Sequence, residues 1–145
     1  MDITRPLHSQ DIQSFLLWMP NWIGDVVLTL PVIQSLRRAY PVARIFVVAK
    51  SPSYELLLGH PAIDTVLILP SGPKIKFWQK VGFARSLKKY SLDVGVVFPN
   101  SFGSAFLLSL TGAKFRLGYN TDARDILLTH PVTTTTHLKK AQYRV

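Results

Sequence analysis

Cysteine is absent from the 145-residue chain, which excludes a disulfide framework, thiolate metal sites and thiol catalysis. Acidic residues are scarce: eight Asp and Glu stand against 17 Lys and Arg, a formal net charge of +9. No apolar run reaches the ~18 residues that suggest a membrane span. The opening residues, MDITRPLHSQDIQ, lack the apolar stretch of a signal peptide, so the expected location is cytoplasmic. The four histidines, His8, His60, His130 and His137, show no metal-ligand spacing, and no metal site is expected. Neither G-x-G-x-x-G nor a Walker loop is present, which argues against a dinucleotide or P-loop nucleotide site.

What is present describes a folded domain. Apolar residues make up 48% of the chain and its mean hydropathy is +0.20, which excludes disorder. A chain of this length forms one domain and buries roughly 70% of its unfolded surface. The basic excess attracts polyanions: nucleic acid, anionic lipid head groups or phosphorylated sugars. A merely solubilising basic surface is the plainer alternative.

Short apolar runs alternate with helical patterns. Residues 1–13 read as a loose leader, and 14–145 as one Rossmann-like domain. Strands are predicted at Ser14–Met19, Ala43–Ala49, Thr65–Leu69, Asp93–Phe98, Lys114–Tyr119 and Ile126–Thr129. Between the first two, Val26, Val27, Leu30, Ile33 and Leu36 recur at helical spacing, and Pro31 predicts a kink or a restart. Ser51 and Pro52 predict an N-cap and first helical residue. Phe77–Tyr90 reads as an amphipathic helix with Phe77, Val81, Ala84 and Leu87 inward. Ser101 is expected to cap a helix reaching Leu110, and another helix starts at His137. Continuous apolar strands alternating with helices predict an α/β fold, a doubly wound parallel sheet. The final helix stops unfinished, so the chain is expected to be the first half of a two-domain protein.

Ligands of such sheets bind beyond the carboxyl ends of the strands. Four segments are expected there: Asn21–Asp25, Lys50–Ser53, Leu69–Lys76 and Pro99–Gly103. Gly24 is expected to permit a tight turn and close approach of a ligand. Asp25 is either a capping or first-turn acid or a general base for a hydroxyl, although hydrogen bonds at a helix start weaken a carboxylate as a base. Lys74 and Lys76 are either solvated or a phosphate-binding pair. Arg116, Arg124 and Arg144 are further basic candidates. Asn100 and Ser101 suit a cap or a sugar hydroxyl. Trp18, Trp22 and Trp78 read as packing residues.

Three stretches together carry a family resemblance: MPNWIGDVVLTLPVIQSLRRAYPVARIFVVA, GHPAIDTVLILP and VVFPNSFGSAFLLSLTGAKFRLGYNTDARDILLTHPV. From about Phe15 to the end, the chain resembles the ADP-heptose:lipopolysaccharide heptosyltransferases, the last stretch matching their type II branch. The resemblance implies a GT-B glycosyltransferase, inverting and metal-independent, of which this chain is the N-terminal, acceptor-binding half. Its acceptor would be the phosphorylated lipopolysaccharide inner core. ADP-heptose, the donor, would bind mainly to the half not present here; no other cofactor is implied. Asp25 matches the family's base. Asn21, Gly24, Lys74, Lys76, Asn100, Ser101, Arg124 and Arg144 would face the acceptor. The enzyme would sit peripherally on the inner face of the cytoplasmic membrane and bind no nucleic acid. One departure is Gly103, where many relatives carry Lys. The chain alone is expected to transfer no sugar. The alternative is a non-catalytic basic Rossmann-like module for an anionic lipid or nucleic acid. A flavodoxin-like domain is disfavoured because no Ser/Thr/Gly-rich phosphate loop follows the first strand.

Overall fold

Successive side chains of a strand point to opposite faces, so an unbroken apolar run must bury both. The computed structural model, which describes residues 12–99, 101–119 and 128–132, shows this arrangement. Its strands are β1 (Ser14–Trp18), β2 (Arg44–Ala49), β3 (Thr65–Ile68), β4 (Val94–Val97), β5 (Phe115–Tyr119) and β6 (His130–Val132). All pair in parallel, in the order β3-β2-β1-β4-β5-β6. The helices are α1 (Ile23–Ala39), α2 (Ser53–Leu57), α3 (Phe77–Ser86) and α4 (Phe102–Leu110); a 3-10 turn, Leu87–Tyr90, continues α3.

Phe15, Leu17, Ile45 and Val47 meet Val26 and Ile33 of α1 and Leu57 of α2 on one face. Leu16, Trp18, Phe46 and Val48 meet Ala84 of α3 and Ala105, Leu107 and Leu108 of α4 on the other. Right-handed crossovers explain the division. The chain first steps outward through β1, β2 and β3, with α1 and α2 on one face. It then returns through α3 to β4, which lies beside β1, and continues the other way. The expected doubly wound parallel sheet is therefore what forms, and the strand order reverses between β1 and β4.

Two carboxylates tie the amino edge together. Asp93 Oδ2 accepts hydrogen bonds from the backbone N–H groups of Gln13 (2.8 Å) and Ser14 (3.2 Å). Asp64 Oδ2 accepts from Ile45 N–H (2.7 Å) and from Arg37 Nη2 (2.5 Å). Arg37 also donates to the carbonyls of Pro41, Ala43 and Ala62, so the end of α1 is anchored to the segments entering β2 and β3.

Several local expectations are corrected. Helix α1 runs through Pro31 without restarting. Val27 and Pro31 are both exposed, so water can satisfy the carbonyl that a prolyl nitrogen cannot. Pro52, not Ser51, occupies the N-cap of α2, because the Ser51 hydroxyl instead donates to Glu55 Oε1 four residues on. Within 126–129, residues 126 and 127 lie outside the described residues, and the sixth strand is found at His130–Val132. Thr129 Oγ1 accepts from Arg116 N–H (2.5 Å) and donates to Arg116 O (3.1 Å), taking the place of a ladder rung. Pairing starts one residue later, at His130 opposite Leu117. The end of the leader segment is tied down: Ile12 is buried and Gln13 is held by Asp93. The helix from His137 lies outside the described residues.

Gly95 in β4 is a close-approach position. A Cβ there would lie 2.8 Å from Leu108 Cδ1 and 3.2 Å from Ala113 Cβ, both on buried residues. Gly95→Ala is expected to destabilise the fold by about 1–3 kcal/mol through overpacking. The check is the denaturant midpoint at constant m-value; an unchanged midpoint would show that Leu108 can turn aside.

Candidate active site

Helices that follow parallel strands begin at the carboxyl edge of the sheet, so α1, α3 and α4 all present their positive N-terminal ends there. The strand order reverses at that same edge, between β1 and β4. The ladder continues one residue further, with Phe98 N–H donating to Trp18 O (3.0 Å). Beyond it α1 packs on one face of the sheet and α4 on the other, the position at which α/β sheets bind ligands.

Asn21 lies on the first connection and Gly24 and Asp25 in the first turn of α1, all exposed. Trp22 is the N-cap of α1, with extended backbone and no side-chain cap. Asp25 is therefore the third helical residue, in the first turn but not the capping residue. Among the described residues nothing hydrogen-bonds or ion-pairs with its carboxylate. The other described carboxylates are engaged: Asp64 and Asp93 as above, and Glu55 by Ser51. That hydroxyl holds the exposed Glu55 carboxyl below its usual range, with a smaller backbone contribution. Asp25 is thus the described carboxylate left open to a ligand. Gly24 does not make the expected tight turn: it is helical, and the left-handed glycines are Gly59, Gly72 and Gly112. A Cβ on Gly24 would meet nothing within 4 Å, so the space beside Asp25 is open.

Ser101 lies on the β4–α4 connection. It caps α4: its Oγ accepts from Ser104 N–H (3.2 Å) and donates to Ser104 Oγ (2.9 Å). One hydroxyl lone pair remains for a ligand. Lys74 and Lys76 stand exposed on the β3–α3 loop. Gln79 Oε1 accepts from Lys76 N–H (2.8 Å), fixing the start of α3. Although β3 is two strands away from β1, α3 crosses to the second face, where Phe77 stacks on Phe106 of α4 (centroids 6.2 Å apart, planes at 22°). This crossover carries Lys76 back towards the start of α4. Arg116 is corrected as a site candidate. It pairs with Gly95 near the beginning of β5, away from the carboxyl edge. Its Nη1 donates to Ala113 O (3.3 Å), and burial lowers its pKa. Asn100, Arg124 and Arg144 lie outside the described residues.

Trp18 is buried as expected, but Trp22 and Trp78 are 76% and 67% exposed. Phe77, expected to face inward, is 51% exposed. The stretch KIKFWQK, adjacent aromatics bracketed by lysines, was the signal available for this. Two clefts, of about 470 and 270 Å³, open near the end of α1 at the opposite edge, remote from Asp25. Among the described residues, no group of three His, Asp or Glu side chains could hold a metal ion.

The fold defines a Rossmann-like layer with an exposed carboxylate at its switch point. No protein-family model matches the chain. It is 30% identical over 110 residues to lipooligosaccharide heptosyltransferase 2 of Haemophilus ducreyi, covering 75% of this chain and 31% of that protein. It is 29% identical over 110 residues to lipopolysaccharide heptosyltransferase 2 of Escherichia coli, covering 75% and 32%. The solved structure of E. coli ADP-heptose lps heptosyltransferase II superposes with a TM-score of 0.76 at 25% identity, over 86% of this chain and 36% of that one. A glycosyl transferase family 9 protein from Veillonella parvula shares the fold, with a TM-score of 0.75 over 90% of this chain and 37% of that one. The chain is therefore a homologue of the heptosyltransferase 2 proteins and spans about a third of the length of these curated relatives.

Proposed function

We propose that this chain is the acceptor-binding half of an inverting GT-B glycosyltransferase that moves heptose from ADP-heptose to the lipopolysaccharide inner core on the cytoplasmic side. The observation that carries this reading is Asp25: exposed, without a hydrogen-bond or ion-pair partner among the described residues, and at the switch point, in a chain homologous to heptosyltransferases.

In this mechanism Asp25 accepts the proton of the acceptor hydroxyl as its oxygen attacks the anomeric carbon of the donor. The bond from that carbon to the diphosphate oxygen breaks on the opposite side, and ADP leaves with the electron pair. Such a step requires an aligned base and an electrophile held in line. The first turn of α1 supplies the base. Asn21, Ser101 and Asn100 hydrogen-bond acceptor hydroxyls, the open space at Gly24 admits the sugar, and Lys74, Lys76, Arg124 and Arg144 meet acceptor phosphates. The positive ends of α1, α3 and α4 add to that field. Stabilisation of the leaving diphosphate falls to groups outside this chain.

The test is calorimetric titration of the chain with inner-core oligosaccharide, before and after phosphatase treatment. Binding that weakens on dephosphorylation, with no heptose transferred by the chain alone, is expected. Absence of glycan binding, together with steeply salt-dependent binding of duplex DNA, would instead establish a non-catalytic basic module.

A further inference from the structure

The helical layer on the second face of the sheet is built almost without negative charge. Between Asp64 and Asp93 the chain carries six Lys and Arg and no Asp or Glu. These six are Lys74, Lys76, Lys80, Arg85, Lys88 and Lys89, and they lie on the β3–α3 loop, α3 and the 3-10 turn. The neighbouring α4 has no charged residue.

At its carboxyl-edge end the same layer exposes aromatic rings: Trp78 at 67%, Phe77 at 51% and Phe102 at 42%. Phe77 is held in place by its stack on Phe106, and Lys76 Nζ lies 5.0 Å from the Trp78 ring centroid. Large apolar surface left in water is unfavourable and marks a contact site when it is contiguous. Trp and Phe beside Lys form the side-chain set that partitions to a bilayer interface. The rings sit at head-group depth, while the ammonium groups reach lipid phosphates.

We infer that this rim is a docking surface for an anionic bilayer, with Phe77 and Trp78 seated among the head groups and Lys80 on a lipid phosphate, while Lys74 and Lys76 keep the acceptor phosphates assigned to them above. Nucleic acid would meet the same charge, but stacking of bases uses aromatics distributed along a basic groove. Here the rings cluster at one end of α3 while the cations run along its length. No helix among the described residues is long and apolar enough to cross a membrane, so contact through this rim is peripheral. The inference rests on the functional reading above only in taking the bilayer to be the one that holds the acceptor. The rim and Asp25 share the carboxyl edge, so docking would bring the site to a lipid-anchored sugar.

Co-sedimentation of the chain with vesicles of phosphatidylcholine, with and without phosphatidylglycerol, tests this directly. Binding is expected only with phosphatidylglycerol and should fall as salt rises. Trp78→Ala should weaken it by on the order of tenfold and Lys80→Gln by roughly fivefold, as removal of one interfacial ring and one surface charge implies. Affinity of Trp78→Ala for lipid-free oligosaccharide should be unchanged. Vesicle binding that is absent, indifferent to phosphatidylglycerol or unaltered in Trp78→Ala overturns the inference. So does duplex DNA binding in place of vesicles, or a Trp78→Ala loss confined to oligosaccharide, which would make the rings a sugar platform. Vesicle binding as expected, with no oligosaccharide binding, would keep the docking surface and remove the acceptor reading.

Discussion

Asp25→Asn should lower heptose turnover by about 10²–10⁴-fold, the usual contribution of a positioned general base. On the reading proposed above, the assay uses this layer joined to a donor-binding half. The amide keeps the size and polarity of the side chain but accepts no proton at neutral pH, so the acceptor KM should move only a few-fold. Stability should change little, because the carboxylate is exposed and makes no hydrogen bond among the described residues. Its interaction with the start of α1 accounts for no more than ~1 kcal/mol. The split between turnover and KM is the informative measurement. Turnover close to that of the unsubstituted protein would remove Asp25 as the base. A large rise in KM at constant turnover would make it a binding residue.

Asp93→Ala should cost about 3 kcal/mol of stability and leave the chemistry of the opposite edge alone. Its carboxylate accepts from Gln13 N–H and Ser14 N–H, and from Ser14 Oγ at 3.4 Å, while its own N–H donates to that hydroxyl (2.9 Å). Together these bonds join the start of β1 to the start of β4. Hydrogen bonds to a charged group contribute about 1.5–3 kcal/mol each, and a buried donor left alone adds its desolvation cost. Gln13 is exposed and can turn to water, which limits the total. Chemical denaturation should show the loss, with a fall in Tm on the order of 10 °C. Lys114, whose exposed ammonium lies 3.5 Å from Asp93 Oδ1, provides the contrast: Lys114→Ala should stay within about 0.5 kcal/mol, as exposed ion pairs do. If both substitutions proved equally mild, Asp93 would not be the tie between the strands.

The architecture was legible because it depends on local pattern. SFLLW, RIFVVA and VGVV are too short and too apolar to be anything but strands covered on both faces. The helical spacing between them leaves little choice but a parallel layer. The capping of α4 by Ser101 was legible for the same reason, since a hydroxyl three residues before the N–H it accepts needs no distant partner. The end of the pattern was less secure. The apolar run before Thr129 reads as a strand, yet Thr129 bonds to both backbone groups of Arg116 and delays the pairing. That contact spans 13 residues and has no local signature.

The sequence by itself determined that Asp25 would stand at a helix start beyond the first strand, because strand, turn and helix are set by neighbours in the chain. Only the tertiary structure decided that this carboxylate has no described partner while Asp64 and Asp93 do, and that Phe77 and Trp78 face outward. Partnership and exposure depend on which distant element arrives alongside: Arg37 reaches Asp64 from α1, Ser14 reaches Asp93 from β1. Residue type and spacing carry no record of those arrivals; the order of strands in the sheet does.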